Sequence, residues 1–554
     1  MASPEEPKLQ YFLQWLQVNG AQLRGCNIKY CDSTKGFGIF SADNVSDGIL
    51  LVVPLNLAIT PTRVLQDPLF GPECRAMCDE EAVDDRFLVI LFLTVERLRR
   101  NSSWKPYFDL LPTTFTSSLW FSDEELLELK GTPLYQATEL QKKNLQSLFH
   151  EKVKNLAEKL LTADGYPESE VTFDDFLWAN SVFWTRAQNI PLPQSYVSPE
   201  AEEKQDGAIS SSSREDEPST NYILKPEKSG ADSEVDGVVS TKQLGETTWV
   251  EGLVPGIDFC NHDLKALATW EVDVTGLETG IPFSMYLLSA RQNSFQRETE
   301  ISISYGNKGN EELLYLYGFV TRDNPDDYLM INYPVEAIQD VTFSEQKAQL
   351  LEAQKAEWRC LLPRSLLNHG FFPPHTPQGE NNEKHLRSQV CSHSWSGQRK
   401  SPSYVNTLVF PEDFLTALRT IAMKENELYQ VISLLEELVG AEGERQPSDT
   451  EVRAAIWEAC GDSGAMQLLV DLLNMKLMDL EEGSGTEDSD TELLEKSHLA
   501  EVPEDCIRIE KNGSELLSRN RWCGIVYRRG QKQLTRLFLK EAEQALHLAL
   551  SEGN

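Results

Sequence analysis

Three short stretches of this sequence place polar, chemically useful residues directly against apolar ones. The first, Lys35-Gly36-Phe37-Gly38, sets two glycines one residue apart between segments that read as short strands. Glycines there let a backbone pass close to a ligand with no Cβ in the way, although a hairpin turn would use the same residues. The second is Asp258-Phe259-Cys260-Asn261-His262, directly after Leu253-Val254-Pro255-Gly256. Asp, Asn and His behind such an apolar approach are costly to bury unless each bonds a specific partner; a satisfied turn at a strand end is the alternative. One His without Cys or His partners at ligand spacing does not build a metal site. The third runs Ile301-Ser302-Ile303-Ser304-Tyr305-Gly306, then Asn310 to Phe319. Alternation gives a strand, residues 306–309 a turn, and Asn310 with Glu311 and Glu312 a helix start. Tyr305 thereby falls at a strand end and Tyr317 near a helix end, positions where aromatics also serve as core.

The elements that must position these residues are legible in part. Leu9, Phe12, Leu13 and Leu16 recur at helical spacing and predict a first helix ending near Gly20. Short strands are expected around 28–31, 38–41 and 49–59, separated by Gly, Asp and Asn turns. From about 82 the pattern turns helical, ending in a helix over Phe173–Arg186, and Ser122 with Glu125 reads as a capping box. Residues 198 to about 240 are rich in Ser, Glu, Asp and Gly and nearly empty of large apolar groups, which predicts a disordered insertion. The buried-strand pattern resumes at TTWVEGLVPG, so the insertion interrupts a domain spanning roughly 1–335. A helical domain is expected over 336–554, with helical patterns at 343–362, 411–438, 451–480 and 513–550, broken by polar loops at about 373–403 and 481–497.

Composition narrows the function classes. With 87 acidic against 51 basic residues, a net charge of −36 in 554 residues, the chain offers no basic surface for a phosphate backbone, and nucleic acid is not an expected partner. The basic runs at Arg97–Arg100 and Arg519–Arg529 read as solvated helix faces. Ten cysteines without CxxC spacing read as reduced thiols, fitting cytosol, nucleus or stroma. The longest apolar run, Phe87 to Leu93, is well short of the roughly 20 residues a bilayer crossing requires, and the N-terminus shows no targeting pattern.

Taken in order, the three stretches resemble the SET-domain methyltransferases, in particular the Rubisco large-subunit methyltransferase-like family. Gly36 and Gly38 match its GxG, Thr185-Arg186 its Ser-Arg-like pair, Leu253–His262 its LVPxxD and Asn-His motif, and Tyr305 with Glu312–Phe319 its Tyr strand and E-L-x-x-x-Y-G-F helix. Trp104–Phe108 and Leu110–Pro112 add to the likeness. The resemblance implies an α+β fold: a SET domain of small twisted sheets with a pseudoknot, interrupted by a helical insert at about 82–186 and followed by an all-α substrate-binding domain. It also implies S-adenosyl-L-methionine as cofactor and a protein as substrate; no metal and no membrane are expected, the chain is expected to be a monomer, and the missing targeting signals point to cytoplasm and/or nucleus, with an organelle left open. Lys35, Gly36, Phe37, Gly38, Arg186, Asn261, His262, Tyr317 and Phe319 would then hold the cofactor. Tyr305 would orient the acceptor nitrogen beside the methyl group, and Asp258 would help shape the acceptor channel. Gln188 stands where lysine-specific relatives often carry an aromatic and a histidine-methylating branch an amide. Gln188 thus leaves the acceptor open; the family at large implies lysine, with histidine as the alternative and a non-catalytic SET-fold adaptor as a further one.

Overall fold

The computed structural model describes residues 5–33, 35–42, 48–79, 83–166, 170–197, 247–266, 268–289, 297–369, 408–439, 445–496, 498–499 and 516–553. The expected insertion at 198–240 and the polar tract at 373–403 lie outside these residues. The chain divides into two compact units, Met1–Phe115 with Gln141–Asn307, and Thr116–Leu140 with Lys308–Asn554. The boundary expected at 335 thus falls at 307, and part of the expected insert belongs to the second unit. The reason is packing: Phe121, Leu126, Leu129 and Leu134 share one core with Leu314, Cys523 and Tyr527.

The first unit carries the strands β1 (Gln22–Leu23), β2 (Cys26–Asp32), β3 (Gly36–Ser41), β4 (Ile49–Pro54), β5 (Gln188–Pro193), β6 (Thr247–Gly252), β7 (Ala268–Asp273), β8 (Ser284–Ser289) and β9 (Glu300–Ile301). They form three small antiparallel sheets, in the orders β1-β4-β8-β7, β2-β3-β9 and β5-β6. The run Ile49–Val53 is buried throughout because β4 lies inside its sheet, covered on both faces. The helix Glu6–Val18 ends two residues before Gly20, and Leu9, Phe12 and Leu16 are its buried face. The strand expected over 301–305 is shorter: after β9, Ile303 leaves the antiparallel ladder and bridges His262 and Ala268 in parallel.

In the second unit the C-terminal region is helical, with segments Glu412–Ala422, Glu425–Val439, Asp449–Ala459, Ser463–Glu481, Glu487–Lys496 and Arg519–Glu552. A hairpin of β10 (Tyr328–Asn332) and β11 (Arg359–Pro363) is added to it. The single helix read over 343–362 is in fact the helix Ser344–Ala353 followed by β11, whose Cys360 and Leu362 alternate with exposed neighbours, a strand period. The acidic tract at 481–497 is also corrected: it contains the helix Glu487–Lys496. Its Asp490, buried, bonds Arg528 at 2.6 Å and Lys532 at 2.6 Å. Arg528 also pairs with Glu128 and is buried, so this part of the basic run is not a solvated face. Composition counted the acidic residues but not the basic partners some 40 positions away. No helix among the described residues is long and apolar enough to cross a membrane.

Candidate active site

The site is built on the turn after β6. Gly256 has φ +100°, a conformation that L side chains rarely adopt, and this lets Ile257–Phe259 wind into one tight turn. The turn faces Asp258 inward. Its Oδ1 accepts from the Gly256 amide at 2.9 Å; its Oδ2 accepts from the Tyr107 hydroxyl at 2.5 Å and from Arg186 Nη1 at 3.3 Å. Arg186 Nη1 also donates to the Asp258 carbonyl at 2.9 Å. Burial pushes the Asp258 carboxyl above its ordinary range, with Arg186 and the hydrogen bonds opposing that rise. Burial, together with the adjacent carboxylate, lifts the Tyr107 phenol well above its usual value. The Asp258 side chain has no exposed surface; its polar contacts are to Gly256, Tyr107 and Arg186, and it holds Arg186 in place.

Arg186 is the last residue of the helix Phe173–Arg186, whose start is fixed by a capping box between Thr172 and Asp175. Its guanidinium lies over the Phe259 ring at 5.3 Å. The same ring packs against Phe12 at 5.4 Å and Phe37 at 5.9 Å. Phe37 is therefore committed to the core through its side chain, and only its backbone is available to a ligand.

From Cys260 the chain runs to the parallel crossing. Ile303 N donates to the Asn261 carbonyl at 3.0 Å, and Asp263 N donates to the Ile303 carbonyl at 3.1 Å. Two residues on, Tyr305 N donates to His262 Nδ1 at 3.1 Å, and the Tyr305 hydroxyl donates to the Cys260 carbonyl at 2.8 Å. The two rings lie 5.1 Å apart. Tyr305 is thus fixed at both ends by the Cys260–His262 segment.

Asn261 joins this segment to the glycine strand. Its Nδ2 donates to Glu300 Oε1 at 2.7 Å, and Glu300 Oε2 pairs with Lys35 Nζ at 2.6 Å. A Cβ on Gly38 would lie 2.7 Å from Cys31 Sγ and 3.3 Å from Asn261 Nδ2, so glycine is required there by space. The structure therefore brings together Lys35, Gly38, Asn261, His262 and Tyr305. Glu300 completes this network, and Tyr107 completes the one around Asp258 and Arg186; both were missed as site residues. Alternation does place Glu300 on one strand face with Ser302 and Ser304, a signal that was available. Gln188 opens β5 opposite Gly252, and its Oε1 is buried with no hydrogen-bond partner among the described residues. Tyr317 and Phe319 belong to the second unit, their rings 6.3 Å apart, and burial lifts the Tyr317 phenol to about 12.

This arrangement was compared with known proteins. No family model matches the chain. A crystal structure of the SET domain of Rubisco LSMT bound to lysine and AdoHcy superposes with a TM-score of 0.60 at 20% identity, covering 99% of this chain and 93% of that one. The chain has the SET-domain fold. The pea chloroplastic Rubisco large-subunit N-methyltransferase is 34% identical over 182 residues, 33% of this chain and 35% of that protein. The ribosomal lysine N-methyltransferase set10 of Schizosaccharomyces pombe is 26% identical over 362 residues, 64% of this chain and 52% of that protein. The chain thus spans between a third and about half of the length of these curated relatives. Within the SET domain, the GxG strand, the Asn-His segment and Tyr305 form one connected site.

Proposed function

We propose that this chain is an S-adenosylmethionine-dependent protein methyltransferase that N-methylates a lysine of a non-histone protein and works as a monomer in cytoplasm or nucleus. The observation that carries the reading is the convergence of Gly38, Asn261, His262 and Tyr305 around the crossing at Ile303. S-adenosylmethionine supplies an electrophilic methyl group on a sulfonium, and positioning then accounts for much of the rate.

The chain's own residues fit such a group. Arg186 and Phe37 pack on one Phe259 ring, which sets a fixed cation beside the glycine strand, suited to a carboxylate. Backbone groups of Lys35 to Gly38, with Asn261 and His262, offer the polar contacts for the remainder. Tyr305 donates to Cys260 and, as a hydroxyl, also accepts, so its oxygen orients an acceptor N–H. The buried Gln188 oxygen is a second acceptor suited to an amine. A side-chain amide can equally bond an imidazole N–H, and this favours histidine as the second reading of the acceptor.

The test is calorimetric titration with S-adenosylmethionine, joined to labelled methyl transfer into cell extract by wild type and Tyr305→Phe. The wild type is expected to bind and to label one protein residue, which mass spectrometry assigns as lysine or histidine. Tyr305→Phe is expected to keep binding within a few-fold and to lose transfer on the order of 100-fold. Absence of cofactor binding by the wild type would replace the enzyme with an adaptor.

A further inference from the structure

A cavity of about 610 Å³ opens on the first unit where the β5-β6 hairpin meets the start of the helix Asp85–Leu98. Strand alternation turns Asn189, Trp249 and Glu251 to one face, where they line it, while Ile190 and Val250 are buried on the other. Trp249 is 46% exposed, an unusual position for so large an apolar ring. Asp84 and Asp85 form the opposite wall. Asp84 caps the helix by accepting from the Phe87 amide, whereas Asp85 makes no hydrogen bond or ion pair among the described residues. Asp85 is exposed to solvent; partial desolvation, with Asp84 and Glu251 nearby, raises its carboxyl above the ordinary range.

The cavity also shows what it accepts. Arg86, on its edge, holds its guanidinium over Trp184 at 4.9 Å and donates to Glu251, with Nη2 at 3.0 Å from Oε1. Three carboxylates against this one guanidinium leave the lining negative, and the Trp249 ring remains exposed. Both features suit a further cation, through charge and through the ring face.

We infer that this cavity is a docking subsite for a lysine or arginine side chain of the protein substrate, held between Asp85 and the Trp249 ring. Its location rests on the methyltransferase reading: Asn189 stands three residues after Arg186, so at most about 11 Å of chain separates them. A basic residue a few positions from the methylated one reaches the cavity in an extended substrate.

The experiment measures binding of a fluorescent tetra-arginine peptide to the full chain by anisotropy at low salt, with tetra-glutamate as the negative probe. Asp85→Asn and Trp249→Ala are each expected to weaken binding about 5- to 10-fold. Glu437→Gln, which removes one exposed charge from the second unit, is expected to leave it unchanged. Thermal melts and S-adenosylmethionine titrations on the same samples confirm folding. Equal losses for Asp85→Asn and Glu437→Gln would reduce the effect to general charge and overturn the inference, as would unaltered binding by both cavity variants. Cofactor binding without selective peptide loss would sink the subsite alone; selective peptide loss without cofactor binding would sink the methyltransferase reading alone.

Discussion

At the scale of single residues, Gly38 and Cys31 make the sharpest claim. Gly38→Ala forces a methyl group against Cys31 Sγ, and a loss of about 1–3 kcal/mol is expected in chemical denaturation. Adding Cys31→Ala should recover at least half of it, because the sulfur is the nearest obstacle; an additive double mutant would refute the contact. The Cys31 thiol is itself pushed up to about 11, first by burial and then by Glu300, with Lys35 opposing. Its thiolate is therefore scarce at pH 8, on the order of 100-fold scarcer than for a group titrating at its usual 9. Alkylation of Cys31 should be slow at pH 8 and climb steeply toward pH 11, as mass spectrometry of the labelled peptide will show. Gly38, Asn261, His262 and Tyr305, which the structure brings together, were legible at this scale because they stand in motifs whose order is informative. Glu300 was legible only in part: alternation sets it on one strand face with Ser302 and Ser304, but a glutamate there looks solvated until its two partners, Lys35 and Asn261, are brought to it. Asp258 stood out as a polar residue in an apolar stretch, but its partners Tyr107 and Arg186 did not, because sequence marks a polar residue as special without saying which way it faces.

At the scale of elements, the acidic helix Glu487–Lys496 is the clearest case of composition misleading. It is rich in acid, yet it is pinned by Asp490, which sits between Arg528 and Lys532. Replacing Asp490 with Ala leaves the buried Lys532 without a carboxylate and Arg528 with Glu128 alone, and the expected loss is about 3–5 kcal/mol in the denaturation of the second unit. A loss below 0.5 kcal/mol, ordinary for an exposed position, would restore the loop reading. Elsewhere local signals were sufficient. The capping box at Ser122 and Glu125 is present, and the helix Phe173–Arg186 has its expected bounds. The patterns at 411–438 and 451–480 were correct in type but undivided. Helix breaks at Met423–Lys424 and Cys460–Asp462 come from packing between successive helices, which periodicity alone does not register.

For the whole molecule, charge is the dominant variable. A net −36 repels itself at low ionic strength, so the midpoint of thermal unfolding should rise by a few degrees between 10 and 200 mM NaCl. A flat response would mean that the charges are already compensated locally. The same excess of acid should draw basic probes generally, which is why the cavity variants are judged against a distant charge. Another consequence follows from the parallel crossing of Asn261–Asp263 with Ile303. Strands that run the same way need a return path, here the forty residues that contain β7 and β8. A ribosome that has released the glycine strand and the Asn-His segment has still delivered no working centre, because the closing thread is absent. Premature stop codons anywhere between 263 and 303 should consequently yield inert protein, however much of the glycine strand and the Asn-His segment they leave intact.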